Sequence, residues 1–160
     1  MDRWTLLANM PLAVNHAAAA TDGRRLWIFG GRGGGNVVSN GYDTVQVYDP
    51  VTASWATSSG DGIAPLPQAR GGMGKAVYLN GEFYVMGGET ATGAGATSAN
   101  VYSRVDIYDP ATNTWRRARD MDVARHGIFP VESDGRIYVA CGGDQAQASK
   151  TPVMEIFDLI

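Results

Sequence analysis

Three copies of one sequence unit follow one another along the chain, and this internal repeat restricts the fold more than any other feature. The first copy reads TDGRRLWIFGG and then YDPVTASW, the second reads LNGEFYVMGG and then YDPATNTW, and the third reads SDGRIYVACGG and then EIFDLI. Each copy contains a turn, an apolar run, a glycine pair, a variable loop and an aromatic residue followed by Asp. Self-similarity of this kind in a chain of 160 residues predicts a repeat architecture.

The turn of each copy predicts a β-hairpin. Asp22-Gly23, Asn80-Gly81 and Asp134-Gly135 are dipeptides that favour a two-residue turn in which both residues have positive φ. The runs around them are short, and several are rich in β-branched or aromatic residues. A third run follows in each copy (TVQVYD, SRVDIYD, PVMEIFD), and a fourth contains a tryptophan in the first two. Four antiparallel strands per copy are the sequence form of a propeller blade.

The glycine pairs, aromatic residues and tryptophans recur in the same order, and we interpret them as structural. They are Gly30, Gly31, Tyr48 and Trp55, then Gly87, Gly88, Tyr108 and Trp115, then Gly142, Gly143, Phe157 and Trp4. A glycine pair that ends a strand indicates that another backbone approaches closely. In this combination, and over nearly its whole length, the sequence resembles the kelch repeat. The resemblance implies an all-β fold of three four-stranded kelch blades, which is half of a propeller.

The tryptophan of the third copy is missing after Phe157. Trp55 and Trp115 each follow the aromatic residue of their copy by seven residues, and Trp4 of a second chain would follow Phe157 at the same interval. We therefore expect residues 2–10 to form an outer strand that completes the last blade of a partner chain. The remaining segments are expected to form blade 1, blade 2 and a blade 3 that lacks its outer strand: residues 11–60, 61–120 and 121–160.

Three blades cannot close a ring by themselves, because propellers have typically four to eight blades. We expect a homodimer in which two chains complete one six-bladed propeller and leave no open sheet edge. Two alternatives stay open. The chain is an excised piece of a longer propeller, or it is a natural or engineered half-propeller with no evolved ligand.

The composition disfavours two classes of partner. The net charge is −3, and no run of Lys or Arg forms the basic stripe that would bind nucleic acids or membrane surfaces. We expect neither of these partners, and neither a signal peptide nor a membrane span is evident, so the compartment is left open. Cys141 is the only cysteine and cannot form an internal disulfide. We expect it to be a small buried hydrophobic residue.

The third copy also looks like a blade of the galactose-oxidase-like kelch group. Those oxidases have a copper site with two histidines, two tyrosines and a cysteine that is cross-linked to a tyrosine. Here His126 and Gly127 follow Arg125, where that pattern has the cross-linked tyrosine. The copper site is therefore absent by this comparison, and we expect no metal, no cofactor and no catalytic residue.

Ligand-binding candidates fall on the loops between the second and third strands and on the entrance to the first strand. They are Arg70, Arg125, His126, His16, Arg32, Asn36, Glu89 and Asp144. Arg70 and Arg125 occupy equivalent positions, where blade 1 has Val14, and they either bond between blades or line a pocket for a carboxylate or sugar. His16 and His126 are either structural or lie near the central channel. Loops on a rigid scaffold commonly carry recognition.

These residues support three hypotheses about function. The first is a non-catalytic binding or interaction module that holds a protein segment or a saccharide. The second is a kelch-type carbohydrate-active enzyme, such as a sugar isomerase or lyase, that uses Arg70, Arg125 and His126 around the central channel. The third is a half-propeller whose only property is its assembly.

Overall fold

The computed structural model describes residues 1–34, 41–91, 99–146 and 148–159. Within these residues the protein consists of strands, turns and irregular segments and contains no helix. The strands form two four-stranded sheets, one three-stranded sheet and one short hairpin, and all pairs are antiparallel. The predicted all-β architecture of blade-like sheets is confirmed.

Each sheet corresponds to one sequence copy. Blade 1 consists of β1 (Ala18–Thr21), β2 (Leu26–Phe29), β3 (Val45–Asp49) and β4 (Ser54–Thr57), paired in that order. Blade 2 consists of β5 (Val77–Leu79), β6 (Glu82–Met86), β9 (Val105–Asp109) and β10 (Thr114–Arg117). Blade 3 consists of β11 (Val131–Ser133), β12 (Arg136–Ala140) and β13 (Met154–Phe157). Among the described residues, blade 3 has no fourth strand.

The loop at 88–100 contains secondary structure that the sequence did not predict. β7 (Glu89–Ala91) and β8 (Ala99–Val101) form a separate hairpin there. Residues 92–98 between them lie outside the described residues. The small polar residues of this segment hid the hairpin, because they lack the apolar alternation by which strands are recognised.

Two of the three predicted turns have the expected geometry. Asn80 and Gly81 have φ of +52° and +87°, and Asp134 and Gly135 have φ of +52° and +73°. The turn at Asp22 is wider, since β1 and β2 are separated by four residues and only Gly23 among them has positive φ. The Asp22 carboxylate accounts for this difference, because it accepts hydrogen bonds from the backbone of residues 24 and 25 and from the indole of Trp27.

The hydrophobic core lies between blades rather than within one sheet. Between blades 1 and 2, five aromatic rings pack with centroid separations of 4.9–6.3 Å: Trp27, Phe29, Phe83, Tyr108 and Trp115. Between blades 2 and 3, Tyr84 packs edge-on against Phe157 among aliphatic side chains. Large aromatic side chains contribute most of the burial in such an interface.

The glycines at the ends of β2 and β6 allow the next blade to approach. Gly30 has φ of +60°, and a Cβ there would lie 2.6 Å from the carbonyl oxygen of Arg70. Gly87 has φ of +62°, and its Cβ would overlap the carbonyl oxygen of Arg125. The expectation that these glycines permit close backbone contact therefore agrees with the structure.

In blade 3 the equivalent position is Cys141, so the predicted glycine pair is displaced by one residue. Cys141 and Gly142 have φ of +57° and +96°, which match the conformations of Gly30 and Gly31. Cys141 is also exposed, whereas the sequence analysis expected a buried residue. The exposure follows from its location, because within the described chain no blade follows blade 3.

Blade 3 has an exposed apolar face, and blade 1 has one exposed apolar residue at a position that is buried in blade 2. In blade 3, Val131, Met154 and Ile156 are 53%, 64% and 44% exposed, and Ala140 is exposed beside them. We call these four residues and the half-buried Tyr138 the trailing face. The equivalent residues of blade 2 are at most 3% exposed: Val77, Met86, Val105, Ile107 and Tyr84. On the opposite side of the half-ring, Leu26 of blade 1 is 46% exposed, whereas the equivalent Phe83 is fully buried.

The glycine contacts lead to a test with a matched control. Gly87→Ala is expected to reduce the free energy of unfolding by more than about 3 kcal/mol, because backbone strain adds to a collision across the blade interface. Gly81→Ala, where φ is also positive but no atom lies within 4 Å, is expected to cost about 1–2 kcal/mol. Urea unfolding measures both. Equal losses of unfolding free energy in the two variants would contradict a collision at the blade interface.

Candidate functional site

The loops that follow the second strand of each blade emerge at one end of the molecule, because the three sheets share one topology. At this end, short backbone bridges pair Asn15 with Arg32, Gly71 with Glu89 and His126 with Gly143. The bridges place Arg32 of blade 1 and Glu89 of blade 2 at equivalent positions. Four candidate residues from three blades lie near one another here: His16, Arg32, Glu89 and His126. We call them the inner-end cluster.

Glu89 is the centre of the inner-end cluster. Its side chain is 2% exposed, and its Oε1 accepts a hydrogen bond of 2.8 Å from Nη1 of Arg32. The same oxygen lies 3.5 Å from Nδ1 of His126. One buried carboxylate of blade 2 therefore contacts a cationic group of blade 1 and an imidazole of blade 3. Charge-assisted contacts of this kind are strongest where water is excluded.

The two histidines differ in their surroundings. Nε2 of His126 lies 2.9 Å from the backbone carbonyl of Gln145, and a carbonyl only accepts, so Nε2 is the nitrogen that donates. His16 is exposed, and its Nδ1 lies 2.7 Å from Oδ1 of Asn15. Partial burial lowers the pKa of His16, and the Arg32 guanidinium lowers it further. His16 is therefore the more accessible of the two.

Neighbouring glycines make room for these side chains. His16 has φ of +54°, and the equivalent residues of blades 2 and 3 are Gly72 and Gly127. A Cβ on Gly72 would lie 2.6 Å from Cγ of Glu89, and a Cβ on Gly143 would overlap Nε2 of His126. His16 alone holds this backbone conformation with a side chain, which costs about 1–2 kcal/mol.

Arg70 lies apart from the cluster, inside blade 2. Its side chain is fully buried, and it donates to the carbonyls of Gly87 and Val85 at 2.8 and 3.2 Å. Nη1 lies 2.9 Å from the carboxylate of Asp106, which also binds Arg104. Burial lowers the pKa of Arg70 to about 10, and Asp106 opposes this effect. The guanidinium therefore ties the second and third strands of its own blade together.

Arg125 has the same role in blade 3. It donates to the carbonyls of Val139, Cys141 and Val153 at 2.9–3.2 Å, and it forms an ion pair with Glu155. At the positions of the arginine and of its acidic partner, blade 1 has the neutral residues Val14 and Gln46. The Gln46 amide instead bonds both backbone groups of Leu12.

The structure thus divides the eight ligand candidates. His16, Arg32, Glu89 and His126 converge, while the side chains of Arg70 and Arg125 are buried and bond within their own blades. The backbone groups of the two arginines, by contrast, bond to the preceding blade. Asp144 is exposed on the loop after Gly143. Asn36 lies outside the described residues. Ligand binding by any of the eight stays a prediction.

Sequence reasoning missed the acidic partners of the two arginines. Gln46, Asp106 and Glu155 occupy equivalent strand positions in the three blades. Each lies two residues before the aromatic residue that recurs in every copy. Blade 1 has Val and Gln at these two positions, whereas blades 2 and 3 have Arg and an acidic residue. Because the two positions change together, the pairing is a signal in the sequence that could have identified the contact.

Two kinds of site are not found in the described parts of the chain. No group of three or more His, Cys, Asp or Glu residues there is arranged to hold a metal ion. Across the same residues, no helix has the length and apolar character needed to cross a bilayer.

Comparisons with known proteins agree with the geometry. The family profile of the Kelch motif matches residues 13–59 and 71–122. Kelch-like protein terF of Aspergillus terreus (strain NIH 2624 / FGSC A1156) is 34% identical over 154 residues, which cover 96% of this chain and 31% of that protein. Kelch-like protein 35 of Mus musculus is 29% identical over 150 residues, which cover 94% of this chain and 22% of that protein.

A solved structure has the same fold. The structure of YjhT superposes with a TM-score of 0.68 at 22% identity, over 87% of this chain and 37% of that chain. At this identity the likeness concerns the fold alone. The chain spans about a third or less of the length of these three proteins.

The paired change at Arg70 and Asp106 can be tested by a double-mutant cycle. Arg70→Val is expected to cost about 3 kcal/mol of unfolding free energy, because it removes the buried partner of Asp106 and leaves this carboxylate with the partly exposed Arg104 alone. Arg70→Val with Asp106→Gln copies the blade 1 pair, and the introduced amide can bond the backbone of Gln68 as Gln46 bonds Leu12. The double variant should recover at least about 2 kcal/mol of that loss. Additive losses in chemical denaturation would show that the two positions are not coupled.

Proposed function

The chain belongs to the kelch-repeat family, and from this premise we propose that it is a non-catalytic binding module whose recognition surface is the inner-end cluster with its surrounding loops. The observation that carries this proposal is the convergence of His16, Arg32, Glu89 and His126 from three blades at the end where the variable loops emerge. A rigid scaffold with side chains and loops gathered at one end is suited to recognition.

The ligand that we propose is a protein segment. The relatives that the chain resembles are kelch-like proteins. Kelch repeats typically bind other proteins. Of the four tryptophans, Trp27 and Trp115 are packed between blades 1 and 2 and are not accessible as a saccharide platform. The carbohydrate-active enzyme is not proposed, because Arg70 and Arg125 of its suggested site are buried and bonded within their own blades.

We further propose that two copies assemble into a six-bladed ring. Residues 11–60, 61–120 and 121–160 form the blades, and residues 2–10 form the outer strand of the other copy's third blade. The support comes from burial: the trailing face and Leu26 are exposed, while the equivalent residues of the other blades are covered by a neighbouring blade. In a two-fold ring, the trailing face of one copy packs against blade 1 of the other, so each exposed face covers its counterpart.

Peptide selection tests the recognition surface. Peptides selected from a displayed random library on the wild-type protein should lose at least tenfold in affinity on His16→Gly, because the variant removes an exposed imidazole from the surface. This backbone already favours Gly, so stability should be unchanged or rise by up to about 1 kcal/mol. Calorimetry and thermal unfolding provide the two readouts.

Ala53→Gly is the matched control for this selection. Ala53 also has positive φ and is exposed, but it lies in the turn between β3 and β4 at the opposite end of blade 1. Peptides whose affinity is unchanged by His16→Gly, or a library that yields no binder, would contradict the proposed surface.

The ring is tested by molar mass together with the one native thiol. Light scattering over a dilution series should find twice the 17.0 kDa of the chain, with dissociation at low concentration. Cys141 lies exposed at the edge of the trailing face, so its reaction with a thiol reagent should slow at least tenfold in the dimer. A monomer at every concentration, or a dimer with a fully reactive thiol, would refute the ring.

A further inference from the structure

A cleft of about 390 Å³ opens between blades 2 and 3 at the outer edge of the molecule. Its walls include Met86 and Val105 of blade 2, Arg119 of the connection, and Phe157 of β13. β13 pairs with β12 on one side, and in the described part of the chain no strand pairs with its other side. The cleft therefore borders an open sheet edge, which can accept a further strand.

The corresponding position in blade 2 is occupied by an indole. Trp115 packs 4.9 Å from the ring of Tyr108 and contacts Phe29 of blade 1 edge-on at 5.8 Å. Its Nε1 donates to the carbonyl of Ala64, at 3.1 Å. In blade 1, Trp55 packs 5.0 Å from Tyr48 and donates to the carbonyl of Ala8 at 3.1 Å. Both indoles thus pack on the aromatic ring of their own blade and donate to a backbone carbonyl, and Trp115 also contacts a residue of the preceding blade.

The walls of the cleft are the repeat equivalents of these contacts. Phe157 corresponds to Tyr108, Met86 corresponds to Phe29, and Arg119 corresponds to Ala64. The cleft therefore has the form of an indole site without its indole. A buried tryptophan side chain contributes a large apolar area and a single N–H donor. The cleft has apolar walls at Met86 and Phe157, and the carbonyl of Arg119 is the repeat equivalent of the acceptor at Ala64.

Trp4 is the side chain of this chain that matches the site. It is fully exposed, as is Leu6 two residues later. Trp4 precedes Met10 by the same six residues that separate Trp115 from Met121. The carbonyl of Ala8 is held by Trp55 on blade 1, so the segment is anchored at the opposite end of the half-ring from the cleft. A second copy, whose blade 1 follows blade 3 in the ring, brings its Trp4 beside the cleft.

We propose that the cleft is an acceptor site for Trp4 of a second copy, an inference that rests on the six-bladed ring proposed above. In blade 2, Trp115 lies opposite Tyr108 and Thr114 lies opposite Asp109. The same register places Trp4 opposite Phe157 and Arg3 opposite Asp158, a half-exposed carboxylate that also pairs with Arg136 at 3.1 Å. The indole Nε1 donates to the carbonyl of Arg119, and the Arg3 guanidinium approaches a group of opposite charge.

The dimer dissociation constant tests this site. Trp4→Ala should raise the Kd about a thousandfold, because a loss of about 30-fold at each of two identical seams is multiplied. Trp4→Phe keeps an aromatic ring but has no N–H donor, and its Kd should lie between those of the wild type and Trp4→Ala. Thr5→Ala is the matched control, since Thr5 is adjacent but points to the other face of the strand, and its Kd should stay within about threefold. An unchanged Kd for Trp4→Ala would overturn the acceptor site and leave the ring intact.

A peptide in trans separates this inference from the ring itself. An acetylated peptide of residues 1–10 is titrated into the Trp4→Ala variant of the 160-residue chain and followed by amide chemical shifts. Saturable shifts at Arg119 and Phe157 are expected, and they would support the acceptor site even if the wild-type chain proved monomeric. A peptide that leaves these amides unshifted would overturn the site, whatever the oligomeric state.

Discussion

Every blade of this protein is a sheet with two apolar faces, and each face needs a neighbouring blade to exclude water from it. Blade 2 has both neighbours, and its residues from Phe83 to Met86 are buried throughout. The glycines that end β2 and β6 set the distance between neighbours, because a Cβ at Gly30 or Gly87 would meet a carbonyl of the next blade. Within the described residues, blades 1 and 3 each have a neighbouring blade on one side only. The uncovered face of blade 3 explains the exposed Cys141, and the missing fourth strand of that blade leaves the cleft open.

The chemistry inside each blade varies while the geometry stays the same. Blades 2 and 3 tie their second and third strands together with a buried arginine and an acid, whereas blade 1 uses Val14 and Gln46. A buried ion pair carries a desolvation cost that a neutral pair avoids, so the two solutions can be interchangeable in stability. At the inner end, by contrast, the side chains are not repeated: Arg32, Glu89 and His126 each occur once, and together they link the three blades.

Much of the fold could be predicted from local patterns. The turns at Asn80 and Asp134, the apolar runs and the recurring tryptophans indicate strands and blades, because these signals involve residues close together in the chain. The β7–β8 hairpin was missed because its residues lack an apolar alternation. The wide turn at Asp22 was missed because Asp22-Gly23 is a standard turn pair, and only the structure shows that the Asp22 carboxylate holds a longer turn. The displaced glycine pair at Cys141 was missed because only the backbone pairing shows which residue occupies the left-handed position.

The repeat, the all-β class, the kelch resemblance and the list of polar residues near the loops all follow from the amino-acid sequence. Which of those residues meet follows from the packing of the blades. Arg32 and Glu89 are 57 residues apart yet bonded, while Arg70, equally prominent in the sequence, is enclosed by its own blade. The reason is that strand patterns depend on neighbours along the chain, whereas burial and charge pairing depend on how separate blades pack, and a single sequence contains no record of that packing.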